Sequence, residues 1–307
     1  MEGVLEGFLT IGSVIGLGAL LAHLGVLDDR ARVVLSRLSF FVASPALMVT
    51  VLGHADVRAV LSGNLAASAA GVLVPAVLYV TAARTVWRRD LAETVIGTLS
   101  SAYVNAGNLG LPIAAYVLGD AALVAPTLLM QLLVLQPIAL ALLDHATSDK
   151  RFSVGRAMSR PLRNPLTVGS ILGVILSVTG VALPAGIADP LELVGGMAVP
   201  SMLIAYGISL RLGPRPGHGT SLLEIGYISG LKLAVQPLTA YLVARFVLHL
   251  DASGLLAVTV LAALPTAQNI FVHATRYGRG EVVARDTIFV TTILSVPVLV
   301  VIAALLG

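Results

Sequence analysis

The sequence predicts an all-α polytopic membrane protein of ten transmembrane helices, and three observations carry that prediction. The 307-residue chain is 57% hydrophobic and only 11% charged, with a mean hydropathy of +0.95. A water-exposed domain carries about 25% charged residues, so this chain has too few to coat its surface in water. Runs of about 20 apolar residues recur along it, and it lacks the segments of about ten alternating residues that mark an outer-membrane barrel.

The spans read as 7–27, 38–53, 64–83, 92–118, 122–143, 165–184, 191–210, 222–248, 254–275 and 286–306. The opening stretch "MEGVLEGFLTIGSVIG" has two glutamates and no basic region, so the first span reads as retained and not as a cleaved signal. The second span is short. The fourth and eighth are long, which implies tilt or interruption. There are no cysteines, which excludes disulfides, thiol chemistry and cysteine-based metal sites.

Basic residues set the orientation. Alternate loops hold Arg30, Arg32 and Arg37; Arg84, Arg88 and Arg89; Lys150, Arg151, Arg156, Arg160 and Arg163; Arg211 and Arg215; and Arg276, Arg279 and Arg285. Sixteen of the 19 lysines and arginines thus face one side, which is the cytoplasm. A multi-pass protein of the cell (inner) membrane follows, with both termini outside the cytoplasm. Topology accounts for the basic balance, so no nucleic-acid partner is expected.

The two halves of the chain resemble each other. "LTIGSVIGLGALLAHLGVL" in span 1 matches "LTVGSILGVILSVTGVAL" in span 6. Pro45 aligns with Pro200, Pro75 with Pro237, Asn108 with Asn269 and Pro137 with Pro297, at offsets of 155 to 162 residues. A unit of five helices therefore appears twice, in 1–143 and 165–307, joined by a cytoplasmic linker at 144–164. Five is odd, so the second copy enters the membrane inverted. Inverted repeats with matched interrupted helices point to a secondary transporter and to its central site.

The interruptions are "NAGNLGLP" in span 4 and "PTAQN" in span 9. Pro112 lacks an N–H and constrains the residue before it, while Gly107 and Gly110 loosen the backbone. In hydrocarbon, freed backbone groups persist only when buried in protein or lining a wet cavity. If both spans unwind at the midplane, their half-helix N-termini converge and favour an anion. Asn105, Asn108, Gln268 and Asn269 add amides that donate to a carboxylate.

These runs, with "GISL" followed by "LKLAVQP", resemble the auxin efflux carrier family, which includes plant PIN proteins and bacterial permeases and is distantly related to sodium/bile-acid symporters. The resemblance covers essentially the whole chain. It implies a scaffold part (spans 1, 2, 6 and 7) and a transport part (spans 3–5 and 8–10) that slides like an elevator, within a homodimer. The cargo, a small organic anion, would sit at the crossing of spans 4 and 9. By position the crossing residues are Asn105, Gly107, Asn108, Gly110 and Pro112, with Pro265, Thr266, Gln268 and Asn269. The long hydrophilic loop of plant members is replaced here by about 20 residues, so regulation through that loop does not carry over.

Lys232 is the ionisable residue that lies within a span away from its outer end, and an intramembrane charge is functional by default. It joins the candidate substrate-binding residues, against the plainer reading of a lysine that snorkels to the interface. Glu224, Asp120 and Asp144 sit at span ends, which disfavours a carboxylate proton relay. No cofactor is expected. Two drives fit the residues: sodium coupling through amide and carbonyl oxygens, as in a bile-acid-type symporter, or the membrane potential acting on the anion alone. Gly12 and Gly16 in span 1 form a small-xxx-small stripe suited to close helix packing or a dimer contact. An intramembrane enzyme would need a nucleophile or metal constellation that the sequence lacks, and a channel would be expected to carry a filter or charged ring.

Overall fold

The computed structural model describes residues 2–54, 57–147, 165–212 and 222–307. These are helical, apart from short turns and one isolated antiparallel bridge between Val104 and Thr266. The linker beyond Thr147, with Lys150, Arg151, Arg156, Arg160 and Arg163, lies outside the described residues, as does Arg215. Among the described residues, five helical stretches are long and apolar enough to cross a membrane: Asp29–His54, Gly63–Thr85, Ala121–Thr147, Ala185–Leu212 and Glu281–Leu306. Shorter apolar helices cover Gly12–His23, Thr167–Thr179 and Ala252–Ala262.

The chain folds into two compact units that cut across the sequence halves: Met1–Ser62, Gly107–Leu129 and Ser159–Gly213 form one, and Gly63–Ala106, Met130–Met158 and Pro214–Gly307 the other. In the first unit, α1 (Glu2–His23) packs along the helix Ala198–Leu212, and α3 (Ser44–His54) packs along Pro165–Thr179. Glycine makes both approaches possible. A Cβ on Gly207 would collide with the Ile15 carbonyl, and one on Gly169 would come within 2.5 Å of the Pro45 carbonyl. Gly12 and Gly16 instead face open space, so within the chain the close-packing role expected of them falls to Gly18, whose neighbour is the Ile204 backbone. Spacing alone does not reveal which face of a helix meets a partner.

The second span is longer than the sequence indicated. Asp28 caps α2 (Asp29–Leu38) by accepting from the Ala31 N–H at 2.8 Å. The helix then runs on through Ser39–Ala43 into α3. The charged stretch expected to be loop is thus amphipathic helix, started by an ordinary aspartate cap.

Among the described residues five wide π turns occur; the one at Val243–Val247 has no proline after it, and each of the other four ends just before an X-Pro pair. These four are Ser39–Ala43 before Pro45, Ala106–Gly110 before Pro112, Gln131–Leu135 before Pro137 and Leu231–Val235 before Pro237. At Ser44, Gln136 and Gln236 the N–H preceding proline reaches back five residues, to Ser39, Gln131 and Leu231. Proline has no N–H, and its ring crowds the carbonyl four residues earlier. Widening the turn moves that carbonyl off the ring. Pro75 and Pro297 sit in uninterrupted helices, and Pro200 falls in a first turn, where the missing N–H costs little.

The second unit contains α4 (Val57–Thr85) from Gly63 onward, α5 (Leu91–Ala102), α8 (Gln136–Thr147), and the later helices Leu222–Gly230 (α12), Gln236–Leu242 (α13), Ala252–Ala262 (α14), Asn269–Tyr277 (α15) and Glu281–Leu306 (α16). In chain order, Leu111–Tyr116 is α6, Ala125–Met130 α7, Pro165–Thr179 α9, Ala185–Gly195 α10 and Ala198–Leu212 α11. One core cluster joins Ile96, Leu99 and Tyr103 to Leu140, Leu143, Ile270 and Ala284. Tyr79 lies across Gly97, where a Cβ would occupy the position of the phenol ring.

One carboxylate in this unit has an environment that its sequence position hid. Glu224, in the first turn of α12, is completely buried. It accepts from Tyr79 Oη at 2.9 Å and from Arg89 Nη2 at 2.6 Å and Nε at 3.3 Å. The carboxylate raises the Arg89 pKa, chiefly through these hydrogen bonds. Glu224 does lie at a helix end, yet a partner 135 residues away encloses it.

Candidate functional site

Span 4 breaks after α5. Its C-cap, Tyr103, is extended, with φ −94° and ψ 108°. Span 9 breaks after α14, and the chain from Ala263 to Gln268 leaves the helix before α15 begins. The two breaks meet within the second unit. The Asn105 N–H donates to the Pro265 carbonyl at 2.8 Å, and the Ala267 N–H donates to the Tyr103 carbonyl at 3.1 Å. This short antiparallel ladder is the single bridge of Val104 with Thr266, formed where both helices are interrupted.

Each helix that stops leaves carbonyls without intrahelical donors, and in an apolar interior they must be satisfied by protein. Side chains do so at the end of α5. Thr266 Oγ1 donates to Ser100 O at 2.6 Å, Gln236 Nε2 to Ala102 O at 3.0 Å, and Gln131 Nε2 to Val104 O at 3.0 Å. At the end of α14, Lys232 Nζ donates to Ala262 O at 3.1 Å. Thr291 Oγ1 accepts the Thr266 N–H at 3.2 Å.

Lys232 lies in the π turn before Pro237, and its side chain is wholly buried. Its second acceptor is Gln236 Oε1 at 2.7 Å. Among the described residues no carboxylate pairs with it. An ammonium has three donors, and the two acceptors here are neutral. The carbonyl-bearing ends of α5 and α14 supply partial negative charge, roughly half an electron at each helix terminus. That softens the cost of the buried cation but leaves it without a full counter-charge.

The structure places the other candidates as follows. Asn105 and Thr266 are buried at the ladder. Pro265 contributes its carbonyl to the ladder. Gln268 and Asn269 are half-buried where α15 begins, and the Tyr103 hydroxyl donates to Gln136 Oε1 at 3.3 Å. All of these, with Lys232, belong to the second unit. Gly107, Asn108 and Gly110 form the π turn Ala106–Gly110, and Pro112 sits in the first turn of α6, within the first unit. Gln131, Gln236 and Thr291 were not singled out from the sequence. The available signal was a polar side chain just before a span proline (Gln236) or six residues before one (Gln131 and Thr291).

The sequence model of the family described as membrane transport protein matches residues 4–303. An "Uncharacterized transporter" of Methanothermobacter thermautotrophicus is 31% identical over 305 residues, 95% of each chain. A protein of Rhizobium meliloti named "Putative malonate transporter" is 27% identical over 289 residues, 92% of this chain and 89% of its own. The family and these relatives are named for transport and not for catalysis, and the apolar helices make the chain an integral membrane protein. The chain belongs to the membrane transport protein family.

Proposed function

We propose that the protein is a secondary carrier of a small organic anion, a mono- or dicarboxylate, working by elevator-type alternating access. Its ten spans form two inverted repeats, with cargo at the crossing of spans 4 and 9, and the carrier is a homodimer in the cell membrane with both termini outside. The observation that supports the cargo class is Lys232, a buried cation whose partners are neutral oxygens, at 2.7 and 3.1 Å, beside two helix ends. A carboxylate cargo supplies the counter-charge that no described residue gives Lys232. The Rhizobium meliloti relative's name adds malonate to the acids worth testing.

The inverted repeat finds support in two residues 160 positions apart. Gln131 and Thr291 hold the backbones of the first and second crossing segments at Val104 and Thr266. Asn105, Lys232, Thr266, Gln268 and Asn269 are the cargo-facing candidates of the second unit. Gly107, Asn108, Gly110 and Pro112 keep the binding role that the family motif implies.

Purified protein in liposomes, offered labelled malonate, other dicarboxylates and monocarboxylates, tests the reading. Saturable uptake of one acid, driven by an imposed potential, supports it. Linear, non-saturating flux of all acids points to a channel and overturns it.

A further inference from the structure

We propose that the Lys232 ammonium is a built-in replacement for an alkali-metal cation, and that the crossing becomes an alkali-ion site when this side chain is removed. Lys232 Nζ is held by a backbone carbonyl, Ala262 O at 3.1 Å, and an amide oxygen, Gln236 Oε1 at 2.7 Å. Neutral carbonyl and amide oxygens are the ligands that hold monovalent alkali ions in proteins, where they replace the hydration shell. Structural lysines in protein interiors are usually matched by a carboxylate, because an unpaired buried charge is costly. No such carboxylate faces Lys232 among the described residues.

The acceptors are fixed independently of the lysine. Gln236 cannot turn its oxygen away freely, since its Nε2 is tied to Ala102 O at 3.0 Å. Ala262 is the last residue of α14, so its carbonyl carries the partial negative charge of a helix end. The following residue closes that helix with bonds from the Ala263 N–H to Thr259 and Val260. Oxygens, helix-end charge and burial persist when the lysine is shortened, and the vacated four-carbon stem leaves room for an ion with water. With the lysine present the positive charge is covalent, so binding an anion here requires no alkali ion. The transport consequence rests on the carrier reading, whereas the cation site belongs to the crossing itself.

The test compares the unaltered protein with Lys232→Ala and Lys232→Met, in sodium, potassium or choline chloride at equal ionic strength. Thermal midpoints are followed by intrinsic fluorescence in detergent, and labelled-acid uptake is followed in liposomes. Sodium or potassium is expected to raise the Lys232→Ala midpoint by a few degrees over choline and to restore part of its lost uptake. The unaltered protein and Lys232→Met, whose side chain fills the stem space, should not distinguish the salts. If Lys232→Ala fails to fold in choline, recovery of folded protein in sodium or potassium is the readout. A Lys232→Ala protein indifferent to all three salts, in midpoint or in folding yield, overturns the proposal. So does an equal alkali-ion shift in all three proteins. Absence of acid uptake by the unaltered protein would count against the carboxylate reading, while the midpoint shift would still decide the cation site.

Discussion

Gln236 lies one helical turn beyond Lys232 and does two jobs at once: its amide oxygen accepts from the Lys232 ammonium at 2.7 Å, and its amide nitrogen donates to the Ala102 carbonyl at 3.0 Å. Since Lys232 also holds Ala262 O, this pair on one helix joins the ends of both interrupted helices. The crossing is therefore fastened from α12–α13 as well as by its own ladder.

Replacing Gln236 with Leu removes both bonds while keeping the bulk. It orphans the Ala102 carbonyl and deprives Lys232 of one of its two acceptors. At about 1–3 kcal/mol per orphaned buried group, Gln236→Leu should unfold several degrees below the unaltered protein. Gln236→Glu, which keeps an acceptor for Lys232, should lose less. Thermal unfolding in detergent measures the difference.

Thr266 is completely buried, and its hydroxyl is donated to Ser100 O at 2.6 Å. Thr266→Val preserves shape and should cost about 1–2 kcal/mol, whereas Thr266→Ser keeps the hydroxyl and should stay closer to the unaltered stability. Acid uptake should fall in the same order, because the ladder holds the binding geometry. Equal stability of the two variants would refute the role given to the hydroxyl.

The helix contacts of the first unit predict a contrast between glycines. Gly207→Ala drives a methyl into the Ile15 carbonyl and should destabilise by about 1–3 kcal/mol. Gly12→Ala meets open space and should be neutral or slightly stabilising, by up to about 1 kcal/mol. Unfolding midpoints of the two variants, measured side by side, check this.

Glu224 binds Arg89 through two hydrogen bonds and Tyr79 through a third. Glu224→Gln keeps the size and an acceptor oxygen but removes the charge. Arg89 is partly exposed, at 27%, so water recovers some of the loss. A destabilisation of about 1–3 kcal/mol is expected, below that of a fully buried pair, and Glu224→Ala should cost more. Chemical denaturation of the reconstituted protein provides the measurement.

Much of this was legible in the sequence because membrane helices announce themselves by composition and their breaks by proline and glycine. The runs at 105–112 and 265–269 mark the interruptions, and the buried Lys232 stood out as a charge inside a span. Other features were hidden for physical reasons. Pro45, Pro137 and Pro237 follow wide turns while Pro75 and Pro297 do not, and local sequence does not separate those cases. Glu224 read only as a span-end carboxylate because Arg89 and Tyr79, which bind it, lie more than 130 residues away. The helix-like stretch Asp29–Leu38 was masked by its charges, although Asp28 is an ordinary cap.

The measurement that bears most directly on the central claim is uptake of labelled carboxylates into liposomes by the unaltered protein and by Lys232→Met, with folding of both confirmed by size and thermal unfolding. The account predicts saturable uptake of a mono- or dicarboxylate by the unaltered protein and a loss of at least about tenfold in the variant, about 1.4 kcal/mol of lost anion binding. Undiminished carboxylate uptake by a folded Lys232→Met protein would contradict it.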